Sequence, residues 1–138
     1  MSTRQFVTFR LDDRLLGMDI LKVREINRMV DVTPVPHAAD YIRGLVNLRG
    51  QTVTVFDLGI RLGLGPREIR GTTHNIILKG GSIGLLVDGI GDVTEAREAQ
   101  MERPPANLQG IGVEFIDSVV KLKDELLVIL SSDSILAQ

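Results

Sequence analysis

The sequence has no cysteine and no tryptophan, and only 4% of its residues are aromatic. Lack of cysteine excludes disulfide staples, thiolate metal sites and cysteine nucleophiles, and it fits a reducing compartment. The core must be built from Val, Ile and Leu. Excess charge of one sign is missing too, since 16 basic residues face 18 acidic ones for a net charge of −2. Nucleic-acid binders normally carry a clear basic excess, so that class is disfavoured. No apolar run is long enough to cross a bilayer; the densest, Leu126 to Leu130, is far too short. The start, Met1 to Phe6, runs straight into strand-like sequence without the apolar segment of a signal peptide. The expectation is a soluble, cytoplasmic protein.

Recognisable chemistry is scarce as well. The two histidines, His37 and His74, lie in polar, loop-like segments with no Glu-x-x-His arrangement, so no metal site is expected. Gly63-Leu64-Gly65-Pro66 lacks the third glycine of a dinucleotide fingerprint, and no Gly-Lys-Ser or Gly-Lys-Thr occurs. Gly80-Gly81-Ser82-Ile83-Gly84 falls between two strand patterns and reads as a hairpin turn. The acid pairs Asp12/Asp13 and Asp124/Glu125 fall in turns, whereas general acid/base pairs are held in clefts. Gly-x-Ser-x-Gly is absent. No catalytic residue, cofactor or metal ligand is expected, and the reading is of a non-enzyme.

What is present is a globular balance, 43% hydrophobic and 25% charged over 138 residues, with 14 glycines. Phe6 to Leu11 alternates Val7, Phe9 and Leu11 against Thr8 and Arg10, which is strand period, and Leu15 to Ile20 answers it across a polar turn. Asp19 is placed to cap a short helical turn before an extended stretch at Glu25-Ile26-Asn27. Pro34 and Pro36 make residues 32–37 irregular. Ala38 to Arg43 suggests one helical turn stopped by Gly44. Leu45 to Leu48 and Gln51 to Phe56 pair across Arg49-Gly50, and Asp57 caps a helix over Leu58 to Leu62. Asn75 to Val87 forms a hairpin. Arg97 to Glu102 suggests a helical turn, residues 103–107 a loop, and the chain closes with strands near 112–116, 118–122 and 126–130 and a final helical turn.

About ten short strands at this spacing suit small barrels or sandwiches, and no helix is long enough for a βαβ crossover. The expected fold is all-β with short helical turns: two small five-stranded barrels packed on a shared core. Half the chain, roughly 60–70 residues, would be marginal alone. The chain is therefore one domain, 1–138, with approximate subdomains 1–70 and 71–138 meeting at the polar, turn-rich Gly65–Thr73 segment.

One stretch is more specific. Tyr41-Ile42-Arg43-Gly44-Leu45-Val46-Asn47-Leu48-Arg49-Gly50, leading into Thr52 to Leu58, resembles the signature of the CheW-like chemotaxis adaptor family. Flanking segments resemble the same family: Phe9 to Met18, Ile20 to Ile26, Ile83 to Gly89 with Asp92-Val93, and Leu126 to Leu130. The resemblance implies two SH3-like barrels and a scaffold without an active site. It also implies two partners, the cytoplasmic tip of a methyl-accepting chemoreceptor and the regulatory domain of a CheA-like histidine kinase. Any membrane contact would be indirect, through receptors.

By matching positions, the resemblance points to Val23, Glu25, Gly44 and Arg49 for the receptor, and to Arg103, Pro104 and Pro105 for the kinase. Val23 can equally be core, and Gly44 reads first as a backbone stop needing positive φ, with any functional effect through loop shape. Arg49, before a glycine in a bend, has no packing duty from sequence and offers a donor fork to a carboxylate or helix-end carbonyls. The alternative function is a small-ligand barrel sensing nucleotides, for which Arg67 and Arg70 are the available pair.

Overall fold

The computed structural model describes residues 2–28, 31–80 and 82–137; Gly81, in the expected Gly80–Gly81 turn, lies outside them. In chain order the strands are β1 (Thr3–Leu11), β2 (Arg14–Asp19), β3 (Val23–Arg28), β4 (Ile42–Leu48), β5 (Gln51–Asp57), β6 (His74–Leu78) and β7 (Ile83–Val87). They continue with β8 (Gly89–Arg97), β9 (Met101–Glu102), β10 (Asn107–Leu108), β11 (Ile111–Gly112), β12 (Ile116–Lys121) and β13 (Leu126–Leu130). Short helices α1 (Leu58–Arg61) and α2 (Ser132–Leu136) follow β5 and β13. The expected caps are in place. Asp19 accepts from Leu21 N before a 3-10 turn, and Asp57 accepts from Ile60 N at the start of α1.

Two sheets carry the fold, with orders β3-β6-β7-β5-β4 and β8-β1-β2-β13-β12-β9. The first draws its strands from one continuous stretch, residues 23–87. The second joins the two ends of the chain, so the division expected at 70/71 is not how the strands are shared out. The polar 65–73 segment is not a boundary between the sheets: although Glu68, Arg70 and Thr72 are exposed, it carries the buried Arg67 and runs into β6 of the same sheet.

Both sheets close into barrels by the same device. Residues 89–97 pair with β1 at one edge; after a 3-10 turn, residues 101–102 pair with β12 at the other. Likewise β3 pairs with β6 at one edge, and Thr33 then bridges Leu45 of β4 at the other. The match extends to every pairing. Each barrel has one parallel contact, β5 with β7 and β13 with β2. Aligning Gly84 with Gly17 sets Asp57 opposite Ser131, and these two residues cap α1 and α2. The register slips fall at matching places, between Ile42 and Gly44 in β4 and between Ile116 and Ser118 in β12. The chain is thus the same barrel twice, once continuous and once circularly permuted, with the N-terminal hairpin β1–β2 supplying the last two strands of the split copy.

Successive side chains of a strand point to opposite faces, and the core divides accordingly. Phe9, Leu16, Met18, Val128 and Leu130 of the split barrel share one cluster with Phe56, Leu58, Ile76, Leu85 and Val87 of the continuous barrel. Phe6, Leu15, Val120, Leu127 and Ile129 fill the split barrel on the other face. Val46, Val53, Val55, Ile77 and Leu86 fill the continuous one. The shared core expected from the small size of each half is the largest of the three clusters.

Two local expectations fail. Residues 38–41 form no helical turn; the chain turns at 40–41 and enters β4. The 112–116 stretch is not one strand, because a 3-10 turn at Val113–Phe115 separates β11 from β12.

Candidate partner-binding site

Arg49 sits at the tip of the β4–β5 hairpin with φ of 51°, and its guanidinium pairs with the Glu25 carboxylate on β3. Strands β3 and β4 are at opposite edges of the sheet, so this pair ties the barrel shut across its mouth. Arg24 Nη1 donates to Gln51 Oε1 at 2.8 Å, a second tie between the same elements. Asn27 Nδ2 donates to the other Glu25 oxygen at 3.1 Å. The bond from Arg49, then the one from Asn27, hold the Glu25 carboxyl below the usual carboxylate range. Arg49 therefore has an intramolecular duty that its place in the sequence did not disclose. Its side chain is still 64% exposed, against 20% for Glu25, so much of the donor fork faces outward.

Val23, at the start of the same strand, is half-buried and packs against the shared core. The structure thus brings Val23, Glu25 and Arg49 to one edge of the continuous barrel, the valine contributing packing. Gly44 differs. It does not stop a helix; it lies inside β4 with φ of 151°, where segment 32–33 crosses it. A Cβ there would fall 2.5 Å from Val32 Cγ1 and closer still to the Thr33 carbonyl oxygen. The glycine is required by crowding and by a backbone that L-residues rarely adopt. Arg103, Pro104 and Pro105 form the irregular, mostly exposed connection from β9 to β10, in the split barrel, where they make no side-chain bond among those recorded for the described residues.

Sequence reasoning missed a polar knot where the two barrels meet. Arg67 is 6% exposed and donates from Nη1 to Asp88 and to Asp12, each at 3.0 Å. Its backbone N–H donates to Asp57 Oδ2 at 2.9 Å, and Arg43 Nη1 reaches both the same carboxylate (3.2 Å) and the Arg67 carbonyl (2.8 Å). Burial works against the Arg67 charge, but the bonds and charges of Asp12 and Asp88 outweigh it and raise its pKa. Above the knot lies a cavity of about 470 Å³, lined in part by Asp12, Asp13, Arg67, Glu68, Arg70 and Asp88. Four acids against two arginines, with Arg67 held by Asp12 and Asp88 and Arg70 by Glu68 at 2.6 Å, is the wrong charge balance for a phosphate ligand. The nucleotide-sensing alternative therefore loses the pair on which it rested. A second clamp links α1 to α2: Arg61 lies over the Tyr41 and Phe115 rings and donates to the carbonyls of Ser134, Ile135 and Ala137.

Among the described residues no group of His, Asp and Glu side chains is arranged to hold a metal ion. No described helix is long and apolar enough to cross a membrane. The chain is two interlocked barrels with braced hairpins and a polar cavity whose lining is acidic on balance. Residues 5–138 match the CheW-like domain family, and the chain belongs to that family. It is 32% identical over 132 residues to the chemotaxis protein CheW of Treponema pallidum, covering 91% of this chain and 78% of that protein. It is 29% identical over 136 residues to the chemotaxis protein CheW of Rhizobium meliloti, covering 96% and 86%. The crystal structure of the scaffolding protein TtCheW from Thermoanaerobacter tengcongensis superposes with a TM-score of 0.89 at 30% identity, over all of this chain and 90% of that one. The family is a chemotaxis scaffold family, and the two SH3-like barrels agree with it.

Proposed function

We propose that this chain is a non-catalytic cytoplasmic adaptor that couples the tips of chemoreceptors to the regulatory domain of a chemotaxis histidine kinase. The observation that carries the reading is the braced edge of the continuous barrel. Val23, Glu25 and Arg49, three of the four positions matched to receptor binding, converge there, and the Arg49 fork is left mostly exposed beside a mixed strand whose Val23 and Ile26 are only half-buried. A receptor tip is a helical hairpin, and a partly apolar edge with a charged rim suits docking of a helix: apolar anchors supply area and the charge fixes register. Gly44 serves this site indirectly, by letting segment 32–33 pass close over β4. Arg103, Pro104 and Pro105 are offered to the kinase because they are exposed, rigid and on the other barrel, which leaves the receptor edge free in the same complex.

The test is co-purification with two forms of a chemotaxis kinase, whole and lacking its regulatory domain, alongside titration with a receptor cytoplasmic fragment. The expected result is retention by the whole kinase alone and saturable binding of the fragment. Equal retention by both kinase forms would sink the kinase half of the proposal, and no fragment binding would sink the receptor half.

A further inference from the structure

The N-terminal hairpin is far in sequence from the strands it completes. Strand β1 pairs with β8 from Thr3 opposite Arg97 to Arg10 opposite Gly89, and β2 runs parallel to β13 from Leu15 to Gly17. The hairpin brings Phe6 and Leu15 to the interior of the split barrel and Phe9, Leu11, Leu16 and Met18 to the shared core. Everything between, residues 23–87, is the continuous barrel, which contains all five of its own strands. Its covalent link to that barrel is the three-residue 3-10 turn Ile20–Lys22, and its other contacts with it run through the shared core and the Asp12–Arg67 pair. This turn buries none of its residues and leaves Leu21 69% exposed; Leu21 N–H donates to Asp19, Val23 N–H to the Ile20 carbonyl, and Lys79 N–H to the Lys22 carbonyl.

We propose that the hairpin is an exchangeable element, and that β1–β2 of one copy completes the split barrel of a second copy. Every strand pairing and core contact of the hairpin is then made again between chains, so the exchanged and closed forms differ only at the hinge; this is the condition under which swapping an element is cheap. Opening the 3-10 turn into an extended segment lengthens the three-residue hinge from about 6 Å to about 10 Å. The order of synthesis favours exchange as well. The hairpin is made first and its partner strands last, so during folding its apolar face waits while the continuous barrel forms. Closure within one chain competes at an effective concentration on the order of millimolar, so exchange belongs to crowded conditions, as where many copies are held together in one assembly.

The absence of cysteine makes the test clean. Gln5 and Glu95 are exposed partners across the β1–β8 pairing. Facing residues of an antiparallel pair have Cα atoms roughly 4.5–5.5 Å apart, within disulfide range. Chains carrying Gln5→Cys and chains carrying Glu95→Cys are unfolded together, refolded at micromolar and at near-millimolar concentration, oxidised, and read by mass and light scattering. The double variant in one chain is the control for geometry, with Thr3→Cys and Arg97→Cys as a second pair. Folded chains mixed without unfolding are the control for collision. The expected result is a Gln5→Cys/Glu95→Cys cross-linked dimer that grows severalfold with refolding concentration and stays low when folded chains are mixed. Leu21→Pro, which removes the capped N–H and favours an extended hinge, should raise the dimer share of the otherwise unaltered protein. Cross-linking confined to the double variant, together with wild-type and Leu21→Pro chains that refold only as monomers at every concentration, would overturn the proposal.

Discussion

The continuous and split barrels share their strand pairings but differ in what fills and closes them. Where the split barrel places Phe6 in its interior, the matching position of the continuous barrel is Asn75, 4% exposed and with its Oδ1 unpartnered against Gly84. Among the described residues, the split barrel is closed by two residue pairs between β9 and β12 and the continuous one by the bridge of Thr33 with Leu45. A smaller interior, an unpaired amide and a one-bridge closure make the continuous barrel the softer of the two. It is also the one whose mouth is tied by Arg24, Glu25, Arg49 and Gln51, where the receptor site is proposed. Binding surfaces are commonly drawn from the less stable parts of a structure, and here the side-chain braces at the mouth substitute for backbone pairing.

The largest effect expected is that of Phe6→Ala. Removing a fully buried Phe costs about 3–5 kcal/mol, and Phe6 is 0% exposed. Because the shared core takes residues from both sheets, urea unfolding followed by circular dichroism and by amide exchange should show both barrels failing in one transition at lower denaturant. Two separate transitions would mean that the barrels are thermodynamically independent and that the shared core couples them less than its composition implies.

Next come the paired positions at the β4 and β12 register slips. Gly44→Ala forces a side chain into the 32–33 segment at positive φ and should cost about 2–4 kcal/mol. Ser118→Ala, its counterpart, removes a buried hydroxyl that has no partner and should change stability by less than about 1 kcal/mol, in the favourable direction. Similar losses at the two sites would show that the slip itself, and not the crossing segment, sets the demand for glycine.

Smaller again is Asn75→Leu. Replacing an unpaired buried amide by an apolar group of similar size should raise stability by about 1 kcal/mol, read as a higher urea midpoint at unchanged slope. A loss of that size instead would mean that the amide is satisfied by a bound water and that the continuous barrel is not softened by it.

How far these contrasts were legible beforehand depends on sequence distance. The hairpins at 45–56 and 75–87 and the caps at Asp19 and Asp57 are local, and short-range spacing and turn residues disclosed them. The pairing of β1 with β8, from Arg10 with Gly89 to Thr3 with Arg97, joins residues far apart in sequence and leaves no local trace, and circular permutation hides the repeat from any comparison of first half with second. Gly44 shows why a residue type alone misleads: a helix stop and a crossing point both demand glycine. The intramolecular partners of Arg67 and Arg49 stayed hidden for one reason: the carboxylates they meet, Asp12 and Glu25, lie tens of residues away in sequence.

The smallest effect on stability, and the sharpest on the proposed function, concerns the Arg49–Glu25 brace. Arg49 is mostly exposed and surface ion pairs contribute little, so Arg49→Ala should move the melting temperature only slightly while weakening binding of a receptor fragment by roughly tenfold or more, as loss of an interfacial arginine does. Two mechanisms give that result: direct contact by the arginine, or release of Glu25 and loosening of the barrel mouth. They part in the variant Glu25→Gln, which keeps Arg49 but removes its charged partner. Direct contact predicts binding near wild type or tighter, since the fork is freed; bracing predicts a loss similar to that of Arg49→Ala, and the double variant no worse than either. The pH dependence supplies an independent reading. Glu25 has its carboxyl pKa lowered in the folded protein from the ordinary 4.5, first by Arg49 and then by Asn27, so the brace is complete above the unfolded pKa and is lost as pH falls through the folded one. Carboxyl titration by NMR should place the Glu25 midpoint below 4.5 in the wild type and return it toward 4.5 in Arg49→Ala. A midpoint that does not move would mean that the pair is not formed in solution, leaving the Arg24–Gln51 bond and the Thr33–Leu45 bridge to hold the mouth of the continuous barrel shut.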